Sequence, residues 1–512
     1  MRLDRVGNTK RNIIVGELDR FLGIILPFIV RTMMIHVLGA EYLGLTSLFY
    51  SIVQMLNLAE MGFGSAIIYS MYKPIADNDS KAINALLKFY AVVYRVVGIV
   101  ITVIGLLVIP FLPILTKKEV PADVSVYVVY AIFLVNSFLN CVLFPNRRAL
   151  ISAFQREDIN SNMHIIVQIL MYGLQIIGII LTKNYYLYVL TIPVLTVTYA
   201  LLCKWQFDKH FGIYKEEGEL DDDIRADIKK QVVGLTVRRL ATYSRNAFDS
   251  MFVSAYLGLK MNGIYGNYYY VMDSVVMIMA VIRTAMAGGV GNSIALESEE
   301  KNVQDMHRIN FLFMLMAGWC TACLLCLYQP FMEIWVGKKM QLPFYMAVAF
   351  AAYFYILKMG DIRSLYAESI GIWWNTRYIS IAEAAANIVL NWVFIKNFGV
   401  LGIVLATMIS YFIFNFIGGA IILYRCYFKN NSLSEYFLKH VRYIIITACI
   451  CTITYLITVP VTLCGIPGFL IKAVISAAVP VILYLIVYCR TEEFKNAMPL
   501  LRGLMRQKRD GK

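Results

Sequence analysis

Charge is scarce in this chain. Only 16% of its 512 residues are Asp, Glu, Lys or Arg, where a soluble domain carries about a quarter. A solvated surface cannot be built from so little charge, which excludes an ordinary soluble enzyme. No GxxxxGK(S/T) phosphate loop occurs, so direct hydrolysis of a nucleoside triphosphate is not the energy source. GxSxG and HExxH are absent as well, and no catalysis is expected. The five histidines (His36, His164, His210, His307 and His440) are scattered. The ten cysteines fall mostly in apolar runs and read as small hydrophobes, not as a disulfide framework. Cys320, Cys323 and Cys326 spread around a helix with no histidine nearby, so neither a metal site nor any other cofactor is expected.

What the chain has in abundance is apolar sequence: 59% of its residues are hydrophobic. They come in blocks long enough to cross a bilayer, which takes roughly 20 helical residues at about 1.5 Å each. Residues 1–11 are polar and basic, and the block behind them is too long for the core of a cleavable signal, so it is expected to be a first permanent span. Apolar runs read against turn and charge breaks predict an all-α polytopic protein with about fourteen transmembrane helices, near 12–37, 42–69, 86–112, 122–145, 160–182, 184–203, 233–257, 262–294, 308–330, 342–367, 378–396, 399–424, 441–460 and 466–489.

The basic residues test that count. Of the 47 Lys and Arg, 32 fall at alternate inter-span segments beginning with the N-terminus, eight at the others and seven within spans. A four-to-one bias is what the positive-inside rule requires of a protein with both termini in the cytoplasm. The formal charge of +14 is therefore a topology signal, and no nucleic-acid partner is expected. The basic tail, 491–512, suits a helix lying on anionic lipid.

An internal repeat is legible. Leu38-Gly39 with Gly44 joins the first span to the second, and Leu257-Gly258 with Gly263 joins the seventh to the eighth, an offset of 219 residues. Six intervening spans give both copies the same orientation, a parallel repeat. The expected organisation is two pseudo-symmetric six-helix lobes, 1–203 and 233–424, a cytoplasmic linker 204–232, two extra helices within 425–490 and the tail 491–512.

The run RTMMIHVLGAEYLGLTSLFYSIVQMLNLAEMGFGSAIIYSMYKPIADND (31–79) resembles the N-terminal signature of Wzx-type polysaccharide flippases. These sit in the superfamily that also holds the MATE exporters and the lipid II flippase. Weaker likeness continues through Asp249, Tyr265 and FGVLGI (398–403). The resemblance implies a bacterial cytoplasmic-membrane protein with a central cavity worked by alternating access. It also implies a polyprenyl-diphosphate-linked oligosaccharide as substrate, with membrane lipids and other polysaccharide assembly proteins as partners.

An ionisable side chain at mid-membrane costs about 2.5–3.5 kcal/mol or more and is read first as functional. Arg20 has Glu17 and Glu60 as structural neutralisers. Arg31 has no acidic residue within reach on its own helix and is a cavity candidate. Arg245 and Arg283 fall at similar depths on adjacent spans, where two like charges repel unless an anion sits between them. Asp249, one turn from Arg245, and Asp273 at a similar depth could instead lock the two helices as an Arg–Asp network. Lys358 and Asp361 are spaced to pair, Arg363 is placed to reach the inner surface, and Glu383 has no evident partner. Guanidinium offers bidentate, permanently charged recognition of phosphate. With the implied substrate, Arg31, Arg245 and Arg283 become candidate diphosphate ligands. Glu60, Asp249, Asp273 and Glu383 become candidate ion-coupling or charge-network residues. The competing reading is a MATE-like exporter of organic cations, which requires a cavity of net negative charge. A glycosyl-polymerising enzyme is disfavoured by outer loops too short to hold an acceptor. A scaffold built on 204–232 is less simple than a linker.

Overall fold

The computed structural model describes residues 5–117, 119–222, 224–225, 228, 247–372 and 375–498. Every regular element among them is helical. Eleven of the described helices are long and apolar enough to cross a membrane, or twelve if a pair bent by 50° at Leu143–Phe144 is one span. The expected second span is two helices joined end to end, Ala40–Leu56 and Leu58–Ala76. The expected seventh, 233–257, lies mainly outside the described residues.

The chain divides into two compact units, Met1–Gly263 and Ile264–Lys512. In the first, α1 (Arg5–Val37) lies along α7 (Glu157–Thr182), and α7 packs on α8 (Tyr185–Phe211). Helices α2 (Ala40–Leu56), α3 (Leu58–Ala76), α4 (Ser80–Val108) and α5 (Val126–Val142) complete the bundle. The bend after α5 is sharp because Phe144 takes a left-handed φ of 56° and Pro145, which donates no amide hydrogen, opens α6 (Pro145–Ala153). A buried apolar cluster runs from Ile67 and Met71 through Leu86 and Tyr90 to Phe207 and Phe211.

α8 continues to Phe211, past the 203 expected, because Phe207 and Phe211 keep a buried stripe at helical spacing. The start of the linker then folds back onto α4. Asn84 Oδ1 accepts from the Lys215 amide at 2.9 Å, Lys88 Nζ donates to the Gly218 carbonyl at 3.0 Å, and Leu220 and Ile228 join the apolar cluster.

The repeated glycines meet within this unit. Gly39 and Gly258, at equivalent positions of the two repeats, both adopt positive φ, 123° and 90°. Gly44 and Gly263 then allow backbone to touch backbone. A β-carbon on Gly44 would sit 1.8 Å from the Leu259 carbonyl oxygen, and one on Gly263 would sit 2.4 Å from that of Ala40. Asn262, fully buried, donates to the Gly44 carbonyl at 2.9 Å and closes the seam.

In the second unit the central helix is α10 (Glu299–Val336), preceded by α9 (Leu259–Leu296), whose first turn belongs to the first unit. Against α10 pack α11 (Phe344–Met359), α12 (Asp361–Ile370), α16 (Leu433–Thr458) and α17 (Gly465–Tyr488). Helices α13 (Arg377–Phe398) and α14 (Val400–Ser410) form a tight pair, and the chain passes through a π-helix, Tyr411–Gly418, into α15 (Gly419–Cys426). The expected tenth span is broken at Gly360 into α11 and α12. Val474, Ile486 and Leu456 are exposed, as an outer surface facing hydrocarbon requires.

Candidate functional site

The second unit holds a connected group of ionisable side chains organised by α12. The break at Gly360 puts Asp361, Arg363 and Glu368 on a short helix whose side chains find partners on α9, α11 and the π-helix. Lys358, at the end of α11 and 4% exposed, places its ammonium 2.7 Å from Asp361 Oδ2, as the i, i+3 spacing suggested. The same ammonium lies within Coulombic range of Asp273 on α9. Arg283, also on α9, donates from Nε to the Asp361 carbonyl at 3.1 Å and pairs through Nη2 with Glu368 Oε1 at 2.7 Å.

Arg363 differs from its expected place. It does not reach the surface: it is 3% exposed and donates to Asn415 Oδ1 at 2.9 Å and Ser364 Oγ at 2.8 Å. The room for it is made by Gly419, where a β-carbon would fall 2.0 Å from Arg363 Nη1. Asn415 stands in the π-helix and donates in turn to Glu383 Oε2 at 3.4 Å. Glu383, expected without an evident partner, is therefore buried and hydrogen-bonded. π-Helical turns are rare and gather at functional positions, because the widened ring re-aims one side chain. Here that side chain is the amide linking Arg363 to Glu383.

Among the described residues the group joins four carboxylates, Asp273, Asp361, Glu368 and Glu383, to three cations, Arg283, Lys358 and Arg363. The seven differ in access. Lys358 and Arg363 are locked inside, whereas the side chains of Arg283 and Glu368 keep 22% and 30% of their surface.

In the first unit Arg31 is half-buried on α1, within Coulombic range of the Tyr188 hydroxyl on α8. Arg20 pairs with Glu17 at 3.0 Å. Asp249 is buried. Arg245 and the side chain of Glu60 lie outside the described residues. One constellation escaped sequence reasoning: Asp19 Oδ1 of α1 lies 2.8 Å from His164 Nδ1 and 3.3 Å from Gln168 Nε2, both on α7. The residues are about 145 positions apart, and only the α1–α7 packing unites them. Among the described residues no cluster of His, Cys, Asp and Glu is arranged to hold a metal ion.

This architecture matches solved structures. The lipid II flippase MurJ in an inward closed conformation is similar over 93% of this chain and 99% of its own, with a TM-score of 0.66 at 14% identity. A multidrug resistance MATE family transporter of the MOP superfamily, inward-facing, is similar over 80% of this chain and 94% of its own, with a TM-score of 0.63 at 14% identity. A MOP superfamily transporter from Pyrococcus furiosus, reported with a binding pocket of reverse polarity, matches over 81% and 95% with a TM-score of 0.54 at 13% identity. No curated protein matches by sequence. The fold and the membrane-length helices define a multi-pass membrane protein with the fold of the MOP transporters. Within that class the chain belongs to the polysaccharide biosynthesis protein family, whose model matches residues 9–287.

Proposed function

We propose that this protein is a flippase that carries polyprenyl-diphosphate-linked oligosaccharide repeat units from the cytoplasmic to the outer leaflet for surface polysaccharide synthesis. Family membership supports a role in polysaccharide assembly, and the fold is shared with a lipid II flippase. The observation that carries the reading is the Arg283–Glu368 pair. It is an embedded guanidinium held at 2.7 Å by a carboxylate that is itself 30% exposed, so the counter-ion is exchangeable. A substrate diphosphate takes the guanidinium by displacing Glu368, so that Arg283 always has an anion while the freed carboxylate, already 30% exposed, turns to water. Removing one partner outright costs about 3–5 kcal/mol. Arg31, Arg245 and Arg283 are each assigned as diphosphate ligands. The sugars need a wet path, because each unpartnered hydroxyl costs several kcal/mol in hydrocarbon. The polyprenyl chain stays in lipid.

Asp273 and Glu383, with Glu60 and Asp249, are the candidate carriers of a coupling proton or sodium ion. The second reading is an ion-coupled exporter of small organic cations, supported by the fold shared with a MATE family transporter. Reconstitution decides between them. Proteoliposomes containing the protein should move a matched lipid-diphosphate oligosaccharide between leaflets, and Arg31→Ala, Arg245→Ala and Arg283→Ala should each slow this. Movement that survives all three changes removes the arginines from the site. Efflux of an apolar cation without movement of the lipid would replace the flippase with the exporter.

A further inference from the structure

A cavity of about 1060 Å³ opens at the end of the second unit where α10 and α16 finish and α11 and α17 begin. Its volume stands at the upper end for a small-ligand site. One wall is fixed. Gln329 donates to the Leu342 carbonyl at 2.7 Å and accepts from the Tyr268 hydroxyl at 3.1 Å, and Gln341 donates to the Gln329 carbonyl at 2.7 Å. Two aromatic contacts bridge the hairpins around it, Phe344 stacked on Tyr455 at 4.8 Å and Phe331 against Phe469 at 6.1 Å. Beside it Ile466 and Leu470 of α17 are 63% and 57% exposed, an apolar flank open to lipid.

Three charges line the space: Glu333, Lys338 and Lys472. Glu333 and Lys338 pair at 3.3 Å. Lys472 is seven residues into α17, about 10 Å from its start, and shares the cavity lining with the buried Cys326 of α10. Among the described residues it has no carboxylate within ion-pair distance and no hydrogen bond. An ammonium at that depth needs a counter-ion or water, and the rest of the cavity lining is uncharged: amide, hydroxyl, thiol, aromatic and aliphatic.

We propose that this cavity binds an anionic phospholipid, with the phosphodiester on Lys472 and an acyl chain leaving along Phe469 and Leu470. Glu333, Lys338 and Lys472 sum to one positive charge, which matches the single negative charge of a phosphodiester and not the two of a diphosphate. The bound lipid ties the α16–α17 hairpin to the α10–α11 turn. The inference is independent of what the protein transports.

The test uses the full chain, delipidated in detergent, with dioleoyl phosphatidylglycerol, dioleoyl phosphatidylcholine or inorganic phosphate added, read by thermal unfolding and by native mass spectrometry. Phosphatidylglycerol should raise the unfolding midpoint by several degrees over phosphatidylcholine and leave one tightly held lipid per chain, while inorganic phosphate does neither. Lys472→Gln should lower the affinity for phosphatidylglycerol at least tenfold, and Lys472→Arg should restore it. Glu333→Gln leaves a surplus cation and should tighten binding, which gives a readout even if Lys472→Gln fails to fold. Equal effects of the two lipids, an equal effect of free phosphate, unaltered binding by a folded Lys472→Gln protein, or no gain with Glu333→Gln each overturns the proposal.

Discussion

Replacing Gly44 by alanine tests the seam between the repeated hairpins most directly. The added β-carbon would stand 1.8 Å from the Leu259 carbonyl oxygen. A comfortable carbon–oxygen contact is about 3.4 Å, so the backbones must part by roughly 1.5 Å. Neither neighbour is a flexible side-chain tip, so the strain cannot be absorbed locally. Overpacking of this kind costs about 1–3 kcal/mol. The separation also breaks the 2.9 Å bond from the buried Asn262 amide to the Gly44 carbonyl, worth about another 1–3 kcal/mol when a buried group is left unsatisfied. Alanine returns up to about 1 kcal/mol of helix propensity. The net expectation is a loss of about 3 kcal/mol. Gly173, also inside a helix but with nothing within 4 Å of the position a β-carbon would take, is the internal control. Gly173→Ala should be neutral or slightly stabilising. Unfolding in detergent, followed by tryptophan fluorescence against denaturant, gives both values. Equal stability of the two variants would refute the close backbone contact and the account of why glycine recurs at Gly263.

Gly419→Ala should destabilise by about 2–4 kcal/mol through displacement of the Arg363 guanidinium, with Gly288→Ala, which meets nothing within 4 Å, unchanged in the same unfolding measurement. Asp361→Asn leaves the buried Lys358 without its closest anion and should cost about 3–5 kcal/mol. Adding Lys358→Met should recover most of the loss, and a thermodynamic cycle with no coupling would show that the pair is not an embedded ion pair. Glu368→Gln removes the resident competitor for Arg283. A lipid-linked diphosphate should then bind several-fold tighter in detergent, read by native mass spectrometry, whereas weaker or unchanged binding would dismiss the exchange mechanism.

What the sequence revealed and what it hid follow from sequence distance. Gly39 with Gly44 and Gly258 with Gly263 were legible because a turn and a close approach leave local signatures. Lys358 and Asp361 were legible because one helical turn sets their spacing. The partner of Arg283 was not, because Glu368 is 85 residues away and reaches it only through the packing of α12 beside α9. Arg363 was misplaced for a related reason: counted along a continuous span it nears the surface, but the break at Gly360 turns it towards Asn415. The end of α8 was read too early because Lys204, Asp208 and Lys209 mask the Phe207–Phe211 stripe among them.

The π-helix between α14 and α15 also makes that stretch of chain a counting device. Its eight residues, Tyr411–Gly418, are wound with a wider ring than the helices on either side. Removing one residue and letting the coil tighten to an α-helix would keep the flanking helices in phase but re-aim the side chains inside the segment. Asn415 would then leave Arg363 and Glu383. Substitutions along the lipid-facing side of Tyr411–Gly418 should be borne easily, while single-residue deletions or insertions there should not. In this segment length, more than residue identity, carries the information.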